Sequence, residues 1–235
     1  MSERVNYEKD GEISIIRLDD GKANALSPAM WEELNAALDQ AEADGTAVLI
    51  TGREGMFSGG FDLKVFQAGG KPIAEMLLRG ARTCERLLAF PAPVVMACSG
   101  HAIAMGVFLL QSADLRIGID DGNYRLHINE AALGMPMPHY PLALCRARLT
   151  PAAFNHAITT ATPYPPAAAV QAGMLDEVVA AEQLMSTAVE RTRALAGLPR
   201  EALLTTRQRV RQPTLAALAE AIAKDEADMK AFFGD

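Results

Sequence analysis

Cysteine is scarce and scattered in this chain. Cys84, Cys98 and Cys145 lie far apart and without metal-type spacing, which argues against a disulfide framework or a bound metal and fits a reducing compartment. Positive charge is short as well. The 22 Lys and Arg stand against 29 Asp and Glu, a net charge of −7, so neither a nucleic acid nor an anionic membrane is expected as the main partner. No apolar run approaches the length that crosses a bilayer, and the first ten residues lack the basic-then-apolar pattern of a signal peptide. A soluble, cytoplasmic protein is expected. The glycine-rich phosphate loop and the dinucleotide fingerprint are both missing, so nucleotide hydrolysis has no support. No Gly/Ser-rich linker, low-complexity stretch or internal repeat divides the chain.

What is present reads as a globular protein with a substantial core: half the residues are hydrophobic and 22% are charged. Residues 5–8 and 13–18 alternate around Asp10-Gly11 as a hairpin would. Ser27-Pro28 supplies an N-cap and a first-turn proline for a helix running to about residue 43. Residues 47–51, 93–97 and 114–119 are short strand signals, and residues 73–89 predict a helix stopped by Phe90-Pro91. Residues 124–130 alternate and predict a strand with Glu130 at its end. Beyond residue 142, prolines at 151, 163, 165, 166, 199 and 213 predict separate short helices rather than one rod, the longest over 182–195 and 213–233. The expectation is a strand-bearing core over residues 1–141 and a helical region over 142–235.

Two stretches carry chemistry. In the first, from Cys98 to Asp114, a strand signal breaks at Ser99-Gly100 and turns into an apolar helix-forming run over residues 102–110. That predicts a buried helix start near Ala104 to Gly106, where backbone N–H groups lack intrahelical partners and attract an anion or a developing oxyanion. Taken alone, the run is a core helix after a tight turn. The second stretch contains Ser58-Gly59-Gly60-Phe61. Its small residues permit close approach of a ligand, so the Phe61 N–H could point into a pocket; the plainer reading is a Gly-rich surface turn. Glu130 could serve as a base if burial lifts its pKa, against the plainer reading of a solvated or first-turn glutamate.

With these residues located, the chain resembles the crotonase (enoyl-CoA hydratase/isomerase) superfamily, and its enoyl-CoA isomerase-like members most closely. The carriers are Lys22-Ala23-Asn24-Ala25-Leu26, Phe57-Ser58-Gly59-Gly60-Phe61-Asp62-Leu63-Lys64, Gly100-His101-Ala102-Ile103-Ala104-Met105-Gly106, Asn129-Glu130 with Leu133-Gly134, and residues 169–179. The resemblance implies an α/β fold, a spiral of ββα turns followed by a helical region that trimerises, as a homotrimer or a dimer of trimers. It implies an acyl-CoA thioester as substrate, coenzyme A being part of that substrate and no prosthetic group or metal being involved. The thioester oxygen would lie between the N–H groups of Phe61 and Met105. Lys22, Ala23, Ala25, Ser58, Gly60, Asp62, Leu63, Ile103 and Ala104 match positions around the CoA thioester. Lys22 is a possible phosphate contact, as are Arg207, Arg209 and Arg211, for which an exposed basic face is the plainer role.

Family hydratases add water with two glutamates. Glu130 matches the second, while the position matching the first is Phe108, and no Asp or Glu occurs between Ser99 and Ala113. A lone base can still move a proton from C2 to C4, so the resemblance implies Δ3,Δ2-enoyl-CoA isomerisation with Glu130 as the single acid/base. Hydration of 2-enoyl-CoA is the alternative, with Asp62, His139 or Tyr140 as candidate second groups; a helix cap and a loop residue are the plainer roles for Asp62 and His139, and Asp114 matches a structural position. A non-catalytic acyl-CoA binder or scaffold subunit is the alternative of another class. Phe66, Met76, Leu77, Phe108 and Leu133 are expected to floor the acyl pocket.

Overall fold

In the computed structural model, residues 4–234 are described. The chain opens with an antiparallel hairpin, β1 (Val5–Asp10) and β2 (Ile13–Leu18), and α1 (Pro28–Asp44). Ser27 caps α1 through its side chain, and Gly45 ends it in a left-handed conformation. Then follow β3 (Ala47–Thr51), β4 (Gly55–Ser58), α2 (Leu63–Ala68) and α3 (Lys71–Ala89). A second turn runs through β5 (Val94–Cys98), β6 (Gly100–Ile103) and α4 (Met105–Gln111). A third has β7 (Leu115–Ile119), β8 (Leu126–His127) and α5 (His139–Arg148). The remainder is α6 (Pro151–Thr160), α7 (Pro166–Ala172), β9 (Glu177–Val179), α8 (Leu184–Ala196) and α9 (Arg200–Phe233).

Each turn of the spiral crosses between two sheets. One is six-stranded in the order β1-β2-β3-β5-β7-β9 and the other three-stranded in the order β4-β6-β8. All pairings after the hairpin are parallel, so β4, β6 and β8 end at the same edge of the small sheet. β3 and β5 are buried along their whole length, as strands covered on both faces must be. One face packs into the main core with Trp31, Leu34, Leu38, Leu87 and Leu109; on the other, Leu49, Val95 and Ile117 meet Leu184 and Ala188 of α8. No described helix is long and apolar enough to cross a membrane.

Four expectations are corrected. The apolar run over 102–110 is not all helix: Gly100–Ile103 is a strand, and Ala104, at φ +49°, turns the chain into α4. The strand expected over 124–130 shrinks to two residues, Leu126 and His127, and Glu130 instead opens a short 3-10 turn at Ala131–Leu133. Proline does not break the last helix. α9 is one rod of 34 residues with Pro213 inside it, because Arg207 and Arg211 before the proline and Leu218 and Ile222 after it are all held against the body. Nor are Arg207 and Arg211 an exposed basic face. Both are nearly buried and share Asp114, at 2.8 Å each; Arg209 alone of the three is exposed. After residue 142 the chain also returns to the large sheet through β9, beside β7.

Candidate active site

The three residues singled out for chemistry lie far apart in the sequence and follow the ends of three adjacent parallel strands. Phe61 comes three residues after β4, Met105 two after β6, and Glu130 three after β8. Parallel neighbours deliver their C-terminal ends to one edge, so the sheet assembles the site by topology.

The approach of the first two segments is close. A Cβ on Gly60, whose φ is +87°, would stand 2.8 Å from the Ile103 carbonyl oxygen and 3.4 Å from the Met105 amide nitrogen. A Cβ on Gly106 would meet the Ser58 carbonyl oxygen at 2.7 Å, so small residues on both sides let the Gly-Gly loop sit against the start of α4. Gly60 gives its carbonyl to the Leu26 amide at 2.8 Å, and Ser58 accepts from the Gly60 amide at 3.1 Å while donating to the Asn24 carbonyl at 2.9 Å. The ring of Phe61 lies 6.3 Å from that of Trp31 and 6.4 Å from that of Phe66. Ala104 donates to the His127 carbonyl at 2.7 Å, which fixes the strained residue before Met105. Among the described residues, neither the Phe61 nor the Met105 amide donates to a protein acceptor. Two main-chain donors on adjoining segments can serve one oxygen atom.

Glu130 is buried, at 7% exposure, and its Oε2 has no hydrogen-bond partner. Burial pushes its carboxyl up to about 7, against the pull of its own amide and that of Asn129. Its carbonyl accepts from the Leu133 and Met135 amides, each at 3.0 Å, so the turn holds the residue in place. A carboxyl near neutrality, with one oxygen unpartnered in an apolar setting, can take and return a proton.

Glu130 lines a cavity of about 650 Å³ together with Phe61, Ile103, Ala104 and Phe108. Phe66, Leu77 and Leu133 also line it, as does Leu63 at its exposed rim, whereas Met76 is packed in the core away from it. Phe108 is 1% exposed and meets Tyr140 edge to face at 6.3 Å. Met105, fully buried, is outside the lining, as are Lys22, Ala23, Ala25, Ser58, Gly60 and Asp62. Lys22 is exposed; Ala23 accepts from the Gly59 amide at 2.7 Å; Ala25 donates to Asp20 at 3.1 Å; and Asp62 caps α2 through the Lys64 amide.

The far wall was not visible in the sequence. Asp225, Asp228, Met229, Phe232 and Phe233 of α9 line the same cavity, across from Glu130's turn. The Asp225 carboxylate accepts the His139 and Tyr140 amides at 2.7 and 2.9 Å, and His139 Nε2 lies 3.3 Å from Asp228. The Tyr140 hydroxyl donates to the Met105 sulfur at 3.0 Å, and burial raises its pKa well above the ordinary phenol value. The three cysteines are buried free thiols, with Cys84 and Cys98 pushed up to about 12 by burial. Among the described residues no cluster of three His, Cys, Asp or Glu is arranged to hold a metal.

Comparison with known proteins agrees with this arrangement. The enoyl-CoA hydratase/isomerase family model matches residues 8–235. A Mycobacterium tuberculosis protein, described in one structure as an enoyl-CoA isomerase and in another as a probable enoyl-CoA hydratase, is 42% identical in a superposition with TM-score 0.92, covering 97% of this chain and 99% of that one. Human mitochondrial delta3-delta2-enoyl-CoA isomerase is 26% identical with TM-score 0.91, covering 99% of this chain and 92% of that one. A probable enoyl-CoA hydratase of Bacillus subtilis is 32% identical over 135 residues, 56% of this chain and 52% of its own length, so the match spans about half of that relative. With its ββα spiral, its parallel strand ends gathered on one buried glutamate, and a family match over nearly its whole length, the chain belongs to the enoyl-CoA hydratase/isomerase family.

Proposed function

We propose that the protein is a Δ3,Δ2-enoyl-CoA isomerase in which Glu130 is the single acid/base. The observation that carries this reading is Phe108. It fills, in the cavity wall, the position where the resemblance puts a hydratase's other glutamate. In this reading the thioester carbonyl accepts the Phe61 and Met105 N–H groups. Glu130 removes a C2 proton from 3-enoyl-CoA, negative charge gathers on the thioester oxygen as an enolate, and Glu130 returns the proton at C4 while the double bond moves to the 2,3 position. Each oxyanion donor is worth on the order of 3 kcal/mol to the transition state. Phe108 keeps water from the reacting carbons and so favours proton return over hydration.

The cavity's other two carboxylates are otherwise engaged, Asp225 with the amides that begin α5 and Asp228 with His139. That second pair is also the observation favouring the alternative, hydration of 2-enoyl-CoA, since a group opposite Glu130 could hold a water. Coenzyme A enters as part of the substrate, with Lys22, exposed near the Gly-rich loop, as a phosphate contact. A cytoplasmic homotrimer or dimer of trimers, assembled through the region after residue 142, belongs to the same reading. Glu130→Gln tests the enzyme reading: turnover of 3-enoyl-CoA should collapse while acyl-CoA affinity survives. A wild-type protein that binds acyl-CoA with no turnover on either enoyl isomer is a binder, and the proposal then fails.

A further inference from the structure

Away from the acyl cavity, four arginines gather where α3, α4, α5 and α9 meet. Arg116 pairs with Asp176 at 2.7 Å, and Arg207 and Arg211 share Asp114. Arg148 pairs with no carboxylate; it donates to the main-chain oxygens of Gln111, at 3.1 Å, and Ala113, beyond the end of α4. Four guanidinium charges therefore face two carboxylates, and the remaining partners are carbonyls, including Leu88 for Arg211 and Phe90 for Arg207, each at 2.8 Å. A cavity of about 130 Å³ opens in this cluster, lined by Arg148, Arg211, Gln111, Thr214, Leu88 and Leu144. Among the described residues, Arg148 Nη1 and Arg211 Nε donate to no protein acceptor and are reached by solvent.

A surplus of arginine charge, with donors left free at a small cavity that opens to solvent, makes a site for an oxyanion. We propose that this cavity binds one free tetrahedral oxyanion of the phosphate class, held by Arg148 and Arg211 with the Thr214 hydroxyl beside it. The energetic sign agrees. Burial holds the Arg211 guanidinium down to about 10 and lowers Arg148 too, and the neighbouring arginines add to both effects, so an anion relieves a repulsion the folded chain otherwise carries. The lining is separate from that of the acyl cavity, so the site is independent of the reading of Glu130.

The test titrates the intact protein with inorganic phosphate at constant ionic strength, balanced with chloride, and follows Tm. A specific site predicts a saturable rise of several degrees, whereas phosphate acting only by exclusion from the surface raises Tm without saturating. Thr214→Glu supplies the missing negative charge from the protein itself and should raise Tm in chloride alone while abolishing the phosphate response. Arg148→Gln should also lose the response, and if that variant fails to fold, Thr214→Glu still decides. A non-saturating rise in the wild type, or an undiminished saturable response in Thr214→Glu, overturns the proposal.

Discussion

Gly60 and Ile103 pack so tightly that a Cβ on the glycine would stand 2.8 Å from the Ile103 carbonyl oxygen. This contact sets the amide after the glycine against the amide that starts α4. Gly60→Ala meets both that oxygen and a φ of +87° that side chains rarely adopt. The variant should lose about 2–3 kcal/mol of stability by urea denaturation, and turnover per folded molecule should drop at least about tenfold. Wild-type turnover in a folded Gly60→Ala protein would mean that the loop does not position a reacting group.

Glu130 gives a pH signature in stability. Its carboxyl is lifted from an ordinary 4.5 to about 7, so between those values the unfolded chain has released a proton that the folded chain retains. The unfolded state then binds fewer protons, and stability falls as pH rises across this window, by on the order of 3 kcal/mol in all. Glu130→Gln should lack this fall and be the more stable protein at pH 8, measured by denaturation across pH 4 to 8. Parallel profiles for the two proteins would show that the carboxyl titrates normally. Activity should run the other way, kcat/KM of the wild type rising through pH 7 as the base ionises.

How much of this was legible in the sequence depended on distance along the chain. The N-cap at Ser27, the hairpin and the helix start at Met105 were local matters of turn chemistry and periodicity, and they could be read. β4 and β6 escaped because strands of four residues, each opening on a glycine, carry little periodic signal. Pro213 misled because exposed proline breaks isolated helices, whereas here Arg211, Leu218 and Ile222 pin both sides of it. The wall contributed by Asp225, Asp228 and Phe232 lies about a hundred residues from Glu130, and only the return of α9 across α5 brings it there. One signal was available: an Asp-x-x-Asp-Met-x-x-Phe-Phe pattern puts acids and large apolar groups on one helix face.

Asp114 is the anchor of α9. Its carboxylate meets Arg207 at 2.8 and 2.9 Å, Arg211 at 2.8 Å and the Val94 amide at 2.8 Å. Asp114→Asn leaves two nearly buried guanidiniums without their counter-charge and should cost about 3–5 kcal/mol by chemical denaturation. A loss below about 1 kcal/mol would show that water already screens the pair.

Tyr140 stays protonated in its buried position and gives its hydroxyl hydrogen to the Met105 sulfur. Tyr140→Phe should therefore cost about 1 kcal/mol or less and change kcat by less than about threefold. A kcat loss of a hundredfold or more would make the phenol a participant in the reaction.

The product formed from each double-bond isomer tests the central claim most directly. Given 3-enoyl-CoA, the wild-type protein should form 2-enoyl-CoA, and Glu130→Gln should not; given 2-enoyl-CoA, neither should accumulate 3-hydroxyacyl-CoA at a comparable rate. Rapid, Glu130-dependent formation of 3-hydroxyacyl-CoA from 2-enoyl-CoA, with no interconversion of the two enoyl isomers, would contradict the account.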